Sequence, residues 1–534
     1  MILSGMNTME GVPEVITWPT RVLKIAFDEG TRGALLALGI PVDPDLEFSA
    51  IHNGRVYLIV DSLVATMLRL PGWKLEIAGV EQDAIWKHLP EELTRPPGLG
   101  DKLRGILLLL NIILHAPGAN RLLKEEALAR NVARTEELER QVAAAETNQA
   151  LADLADPLAR HMTHLFKTHL LSSMIFTQRW TALEEIGREV GVDPSLLVAG
   201  SGGIVSSRVT SMLYRLASAC ADQGIDLEAD DAWSRINANP VTKKALDEFL
   251  ETCGHRSFNE MEFAAPRFRE DPEAVLSALR AQGLTDPQEA AEKARQEGWS
   301  RVPEAKRKKV AKRVEEAAAK AALREATKDV VVRLGGVYRQ WCLKAAQTLP
   351  DPDTLWLMTV DEIVRWLREG EPVAPAVLEK RRAELETWRS LTPVETLYVD
   401  EKTGAVHPLS VTEAEERRGV VRGTVVSRGV SDVVGGRAVV ALEPQVALQK
   451  IQSLRAQGET PILITRVTNV AWTAAFGGIG GIVTEIGGVG SHAAIVAREY
   501  GLPAMVGAAL AVTQVPDGAV VELDCTQGEL RWHT

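Results

Sequence analysis

The stretch TEIGGVGSHAAIVAREYGLPAMVG, Thr484 to Gly507, decides how this chain is read. It follows the apolar run Gly481 to Val483, which predicts a strand, then a glycine turn, then a helix. Ser491 stands where an N-cap belongs, since its hydroxyl can accept a hydrogen bond from an early helix N–H. The helix is expected from Ala493 to about Tyr500, stopped by Gly501 and kept stopped by Pro503. His492 is thereby placed at the mouth of a helix, on a turn where Gly487, Gly488 and Gly490 leave it uncovered. A helix N-terminus carries roughly +0.5 of a charge and unpaired N–H groups, so it accepts an anion. The same field disfavours imidazolium and leaves a neutral ring with one nitrogen free to attack. A nucleophilic histidine beside an anion site points to a covalent phosphohistidine. The plainer reading is a strand–turn–helix with an incidental surface histidine.

The pattern T-E-x-G-G-x-x-S-H-A-A-I-V-A-R-E-x-G-L-P-A resembles the swivelling phosphohistidine domain of the phosphoenolpyruvate-utilising enzymes. That family includes phosphoenolpyruvate synthase, pyruvate phosphate dikinase and rifampicin phosphotransferase. The resemblance covers about Val421 to Trp532. It implies that His492 is the residue phosphorylated. It also implies that Thr484, Gly488 and Ser491 bind the phosphoryl group and that Arg498 supplies a charge near the site.

With 534 residues, 46% hydrophobic and 25% charged, the chain has room for two to four domains of ordinary globular composition. A net charge of −12 argues against nucleic acid or an anionic membrane as partner. Cys220, Cys253, Cys342 and Cys525 are spread without metal spacing and read as reduced, buried thiols of a cytoplasmic protein. The opening MILSGMNTMEG lacks a charged segment followed by an apolar one, so no signal peptide is expected. The run GILLLLNIIL, Gly105 to Leu114, is too short to cross a bilayer and is expected as a buried helix.

Between Leu63 and Arg389 apolar residues recur every three or four positions, as in helices, and NGRVYLIV (Asn53 to Val60) alternates like a short strand after a turn. Thr392 to Pro408 is broken by prolines, glycine and polar residues. After it come short Val/Ile runs and glycine turns. The expected fold is multidomain: a mostly α-helical body over 1–391, a linker over 392–420, and a compact α/β domain over 421–534.

Two segments of the body carry chemistry. CGHRSFNEMEFAAPRFREDP, Cys253 to Pro272, gathers His255, Arg256, Glu260, Glu262, Arg267 and Arg269 around a loop. LREATKD, Leu323 to Asp329, places Arg324 and Lys328 on one helix face, with Glu325 three residues before Lys328. Two cations and a carboxylate suit phosphoryl transfer to a hydroxyl. The cations neutralise equatorial oxygens while the carboxylate takes the proton. The plain alternative is a solvated charged face. HMTHLFKTH offers His161, His164 and His169, but only the first two share a helix face and no acidic third ligand stands nearby, so no metal site is expected. Trp341, Trp356, Trp366 and Trp388 are expected as core or interface anchors.

EGVPEVITWP, NGRVYL, GHRxxxExxxAxPRFREDP, RExxK and DxLWLMTVDEI make the body resemble the substrate-binding domain of the rifampicin phosphotransferase group, over most of Asn7 to Trp388. The resemblance implies that Arg324, Glu325 and Lys328 line the acceptor and phosphate site. GHRSFNE departs from the usual GHRG start, so His255 and Arg256 either bind substrate or brace the site. A nucleotide-grasp domain would precede this body in ATP-using relatives, and a barrel would follow the swivelling domain in the synthases; neither is expected here. No G-x-x-x-x-G-K-[ST] loop is present in the sequence.

The chain is therefore similar to the catalytic subunit of split enzymes of the phenylphosphate synthase type. That resemblance implies an ATP-grasp partner subunit holding ATP and Mg²⁺, and a phenol-like or other apolar alcohol as acceptor. Two rival readings are a phosphohistidine relay with no small-molecule acceptor and an inactive fragment of a larger dikinase. A relay needs His492 but not Arg324, Glu325 and Lys328.

Overall fold

A 40-residue helix, Arg307–Ala346, is the spine of the helical body. The computed structural model describes residues 1–5, 14–67, 89, 99–200, 205–257, 259–281, 287–391, 394, 396–400, 403–408, 419–429, 431–468, 472–488 and 491–533. The first part of the EGVPEVITWP motif, Gly490, and positions 409–418 of the expected linker lie outside the described residues. Among the body's helices are α1 (Val22–Ala37), α2 (Leu99–Arg121), α3 (Glu125–Ala144), α4 (Asn148–Val190), α5 (Pro194–Val198), α6 (Pro287–Ser300) and α7 (Arg307–Ala346).

Thr147 caps α4 by accepting from Ala150 N, and Gly191, at φ 71°, ends it. The first half of α7 is rich in Ala, Glu, Lys and Arg and is helical by propensity. Its second half is apolar: Val330, Leu334, Val337, Tyr338 and Trp341 bury against Leu158, Met162 and Leu165 of α4. Fully burying one such aliphatic or aromatic side chain contributes about 1.5–3 kcal/mol. Phe263 stacks on Tyr338 at 4.7 Å, and Trp341 Nε1 donates to Leu151 O at 2.8 Å. Trp388 stacks on Trp18 at 5.7 Å. Arg324, Glu325 and Lys328 thus stand just N-terminal to the most tightly held stretch of α7.

The run Gly105–Leu114 is helical, within α2, but it is not the buried helix the sequence suggests. Ile106, Leu107, Leu109, Leu110, Ile113 and Leu114 are 44–76% exposed. A run that is apolar all round still presents only one stripe to its neighbour, and here only Leu108 and Ile112 join the cluster around Leu35, Ile40 and Phe48. No single helix among the described residues is long and apolar enough to cross a membrane. All four cysteines are buried and free.

Two sheets complete the architecture. The first is antiparallel, in the order β2-β3-β1-β4-β5, from β1 (Ile2–Ser4), β2 (Ser49–His52), β3 (Arg55–Ile59), β4 (Thr396–Val399) and β5 (Val406–Pro408). Asn53 and Gly54, at φ 47° and 69°, make the hairpin turn between β2 and β3. Part of the stretch expected as linker is therefore strand: Thr396–Val399 pairs with Ile2–Ser4, closing the two ends of the body on each other. Strands of three or four residues among prolines and glycines give no periodic signal, whereas β1 supplies the hydrogen-bond partners that order them.

The second sheet comprises β6 (Val420–Arg422), β7 (Thr424–Arg428), β8 (Val433–Val440), β9 (Pro461–Thr465), β10 (Gly481–Thr484), β11 (Pro503–Val506), β12 (Val520–Asp524) and β13 (Glu529–His533). Its order is β6-β13-β12-β8-β9-β10-β11-β7. Strands β8 to β11 run parallel and the flanking ones antiparallel. Every residue of β9, β10 and β11 is buried, as central parallel strands require. Helix α8 (His492–Tyr500) crosses from β10 to β11, so its N-terminus opens at the carboxyl end of parallel strands, where ligands bind in open α/β sheets. This C-terminal domain is docked on the body: Val467 and Ile486 pack with Leu3, Tyr57, Ile59 and Leu397 of the first sheet.

Candidate active site

The site has two halves, one from each domain. In the α/β half, Ser491 is extended (φ −65°, ψ 158°) and its Oγ accepts from Ala494 N at 3.0 Å. The helix begins at His492, one residue earlier than the sequence suggests, and ends at Gly501 in the left-handed region, φ 62°. Gly488 O accepts from Ser491 N at 2.9 Å and closes the turn. Gly487, at φ 145°, lies under that turn: a Cβ there would stand 3.3 Å from Ser491 Oγ and 3.4 Å from Thr484 Oγ1. Both hydroxyls therefore converge on one glycine beside His492. Thr484 Oγ1 is fully buried and has no hydrogen-bond partner among the described residues. The Ser491 hydroxyl already caps the helix.

His492 Nδ1 is 3.2 Å from Thr468 Oγ1, and Phe476 meets the ring edge-on at 6.2 Å. Burial, then the positive charges of Lys328 and Arg256, push its pKa down to about 3. The ring is neutral, as a nucleophile must be, but the causes differ from the one the sequence suggests. Two cations of the other domain are among them.

Arg498 is only 4% exposed. Its Nε donates to Val426 O at 2.9 Å, and its guanidinium carbon lies 4.4 Å above the Trp180 ring of α4. Burial pushes its pKa down to about 10, against the pull of Asp193 and Glu184.

In the body half, Arg324 Nη1 donates to Glu325 Oε1 at 2.6 Å, and its guanidinium lies 5.8 Å from the Phe176 ring. Glu325 is 5% exposed. Lys328 Nζ stands 4.0 Å from Glu260 Oε2. Glu260 Oε1 accepts from Arg256 Nη1 at 2.8 Å, and Asp329 Oδ1 accepts from Arg256 Nη2 at 2.8 Å. The same Asp329 oxygen is 3.0 Å from His255 Nε2. Burial works against the Asp329 carboxylate, but His255 and Arg256 outweigh it and hold its pKa below the usual range. Burial likewise opposes the Arg256 charge, which Glu260 and Asp329 hold more firmly than usual. Burial lowers the pKa of His255 against the pull of Asp329. His255 and Arg256 thus form the brace under Lys328, held in a chain of buried ion pairs.

One residue of this half escapes the sequence reading. His169 Nδ1 lies 3.2 Å from Thr327 Oγ1, and burial, followed by Arg324 and Lys328, pushes its pKa down to about 3. In HMTHLFKTH it falls off the face shared by His161 and His164. Those two serve elsewhere, with His161 Nε2 2.9 Å from Thr135 Oγ1 and the two rings stacked at 6.4 Å.

Comparison with known proteins finds a match in each of the two parts. The family described as PEP-utilising enzyme, mobile domain, matches residues 457–528, which hold His492. The rifampicin phosphotransferase fourth domain matches residues 168–340, which hold Arg324, Glu325 and Lys328. Rifampicin phosphotransferase of a Streptomyces species is 30% identical over 322 residues, 56% of this chain and 35% of that protein. The protein of that name from Bacillus subtilis is 26% identical over 326 residues, with the same shares. A phosphoenolpyruvate synthase of Aeropyrum pernix is 38% identical over 116 residues, 21% of this chain and 13% of that protein. The chain spans 35% of the length of the rifampicin phosphotransferases it matches. The chain is thus similar to rifampicin phosphotransferases through much of its helical body and to the PEP-utilising enzymes through its C-terminal mobile domain.

Proposed function

We propose that this chain is the catalytic subunit of an ATP-dependent phosphotransferase that carries phosphate on His492. A separate ATP-grasp-type subunit would hold ATP and Mg²⁺ and load the histidine, ATP ending as AMP and phosphate. The mobile domain would then return to the docked position and pass the phosphoryl group to a hydroxyl acceptor, a phenol or another apolar alcohol, in the helical body. What carries the reading is that His492 sits within the field of Lys328 and Arg256, charges of the opposite domain.

The chemistry runs in two steps. In loading, a nitrogen of the neutral His492 ring would attack the β-phosphorus of ATP, an N–P bond forming as the P–O bond to AMP breaks, and water would then release the γ-phosphoryl group as phosphate, leaving one phosphoryl group on the ring. In discharge, the acceptor oxygen attacks phosphorus, the N–P bond breaks and the ring leaves neutral. The hydroxyl proton passes to the Glu325 carboxylate, while Arg324 and Lys328 offset charge on the phosphoryl oxygens. The orphan hydroxyl of Thr484 suits a donor to the same oxygens.

The test is intact mass after incubation with the ATP-binding partner, ATP and Mg²⁺, with and without phenol. One added phosphate, removed when phenol is added and matched by phenyl phosphate, supports the whole reading. Phosphate that phenol and apolar alcohols leave in place supports a relay instead. Micromolar ATP affinity of the isolated chain by calorimetry overturns the two-subunit arrangement.

A further inference from the structure

One corner of the interface between the domains is built differently from the rest. Arg498 lies six residues after His492 on α8. Its stem is held at home by the bond from Nε to Val426 O of β7, at 2.9 Å. Its guanidinium, however, covers Trp180 of α4 at 4.4 Å, and Trp180 Nε1 is fixed by Glu184 Oε1 at 2.6 Å. Beside it, Asp193 Oδ2 accepts from Arg428 N at 2.7 Å, and Ser195 Oγ is 3.2 Å from Ser427 Oγ.

We propose that Trp180, Glu184 and Asp193 form a receiving socket for the Arg498 guanidinium, and that Trp180 is a positioning residue setting His492 in register with Arg324 and Lys328. A joint that must open repeatedly has to leave groups that water can satisfy. The polar contacts of this corner meet that need: a guanidinium, a carboxylate, two hydroxyls and a backbone N–H. A guanidinium is weakly hydrated and stacks on aromatic faces, so it exchanges water for an indole at little loss.

The register follows from geometry. Six residues of helix separate His492 from Arg498 by about 9 Å along the axis. Fixing the guanidinium on Trp180 therefore fixes the rotation and advance of the helix that carries the nucleophile. Gly501 provides the stop, since a Cβ at that position would lie 2.4 Å from Ala294 Cβ of α6. Misplacement of reacting groups by ~1 Å can cost about 10²-fold in rate, so a socket of this kind bears on transfer. That consequence rests on the phosphotransfer reading; the socket does not, and the experiment reads docking itself.

Ser195→Cys and Ser427→Cys are introduced together in the full chain, and disulfide formation with diamide is followed by mass. The two hydroxyl oxygens stand 3.2 Å apart, so sulfurs in their place need approach by only about 1 Å to reach the S–S length of about 2.05 Å. Each single-cysteine variant is the control against the native thiols, which are buried. The pair is expected to cross-link, Trp180→Ala to slow it about 10-fold, and Trp180→Phe, which keeps an aromatic face, to stay within about 3-fold of the parent. Trp180 also packs in the core with Phe176 and Leu183. If Trp180→Ala does not fold, Asp193→Asn is measured instead. It keeps the Oδ1 cap on Ser195 N but turns an N–H donor toward Arg428 N, and it too should slow the cross-link. Equal rates in the parent and the folded variant, or no cross-link in the parent pair, overturn the proposal. A Trp180-dependent cross-link in a chain whose His492 takes no phosphate leaves the socket standing and the phosphotransfer reading refuted.

Discussion

His255 Nε2 lies 3.0 Å from Asp329 Oδ1, and this pair ties the loop after Cys253 to α7 one residue beyond Lys328. Arg256 shares the same oxygen, and its other arm reaches Glu260, which stands 4.0 Å from Lys328. The setting of Lys328 is thus inherited from a network whose members are nearly all buried. Such a network gives little net stability over an apolar core, but breaking it is costly, because it strands a charge.

Asp329→Ala should therefore destabilise the body by about 3 kcal/mol, the usual loss when one partner of a buried pair is removed. Arg256, 2% exposed, would lose one of its two carboxylate hydrogen bonds and keep that to Glu260. Asp329→Asn, which keeps the shape and a carbonyl acceptor, should lose less. Urea unfolding of the two variants measures the difference; an unchanged midpoint in Asp329→Ala would mean that water already screens the network.

The pH dependence follows from two depressed histidines. His492 and His169 both titrate near 3 in the folded chain, against an ordinary value of 6.5. Below 6.5 the unfolded chain binds more protons than the folded one, so protons favour unfolding. Their contribution is present in full above about 6.5 and is lost progressively as pH falls toward 3. Ring nitrogen NMR at pH 5.5 should find both rings neutral in the folded chain and mostly protonated in the unfolded one. Lys328→Ala should move the His492 midpoint upward but leave it below 6.5, because burial is the larger cause.

His492→Ala should abolish phosphate on this chain, and so should His492→Gln, which has no nucleophilic ring nitrogen. Intact mass after incubation with the ATP-binding partner settles it. Phosphate retained by His492→Ala would place the carrier at another residue.

Local signals account for what the sequence revealed. Ser491, His492 and Gly501 obey capping chemistry that acts over a few residues, so the helix and the place of His492 at its start were legible. The shared face of Arg324 and Lys328 follows from helical spacing alone. His169 was not legible in the same way, because what brings it to Arg324 and Lys328 is the packing of α4 on α7, a contact between residues more than a hundred positions apart. Thr396–Val399 was missed because four residues become a strand only when Ile2–Ser4 lies beside them. The exposed face of α2 was misread for a related reason: an apolar run reports composition, and burial depends on whether a neighbour arrives.

The last prediction separates an enzyme from a relay. Glu325 Oε1 accepts from Arg324 Nη1 at 2.6 Å, so the carboxylate has a structural duty beside the proposed one of proton acceptor. Glu325→Gln keeps the size and an oxygen acceptor but loses the charge. Loading of His492 should be unaffected, since it takes place against the ATP-binding partner. Discharge onto the acceptor should slow by about 10²–10⁴-fold, the usual worth of general acid–base help. A phenol, with a pKa near 10, needs that help less than an alkyl alcohol, so its loss should sit at the lower end. Arg324→Ala and Lys328→Ala should each raise the discharge barrier by roughly 3 kcal/mol if they stabilise charge in a dry site. Arg324→Ala carries a second effect, because it also frees Glu325. Its loss with phenol should therefore fall short of the sum of the two single losses when combined with Glu325→Gln, as expected for residues in contact. The measurement is a chase: load phosphohistidine, remove ATP, add acceptor and follow phosphate on the protein. Wild-type discharge in all three variants would reduce the trio to an ion-paired helix face and move the acceptor site away from α7.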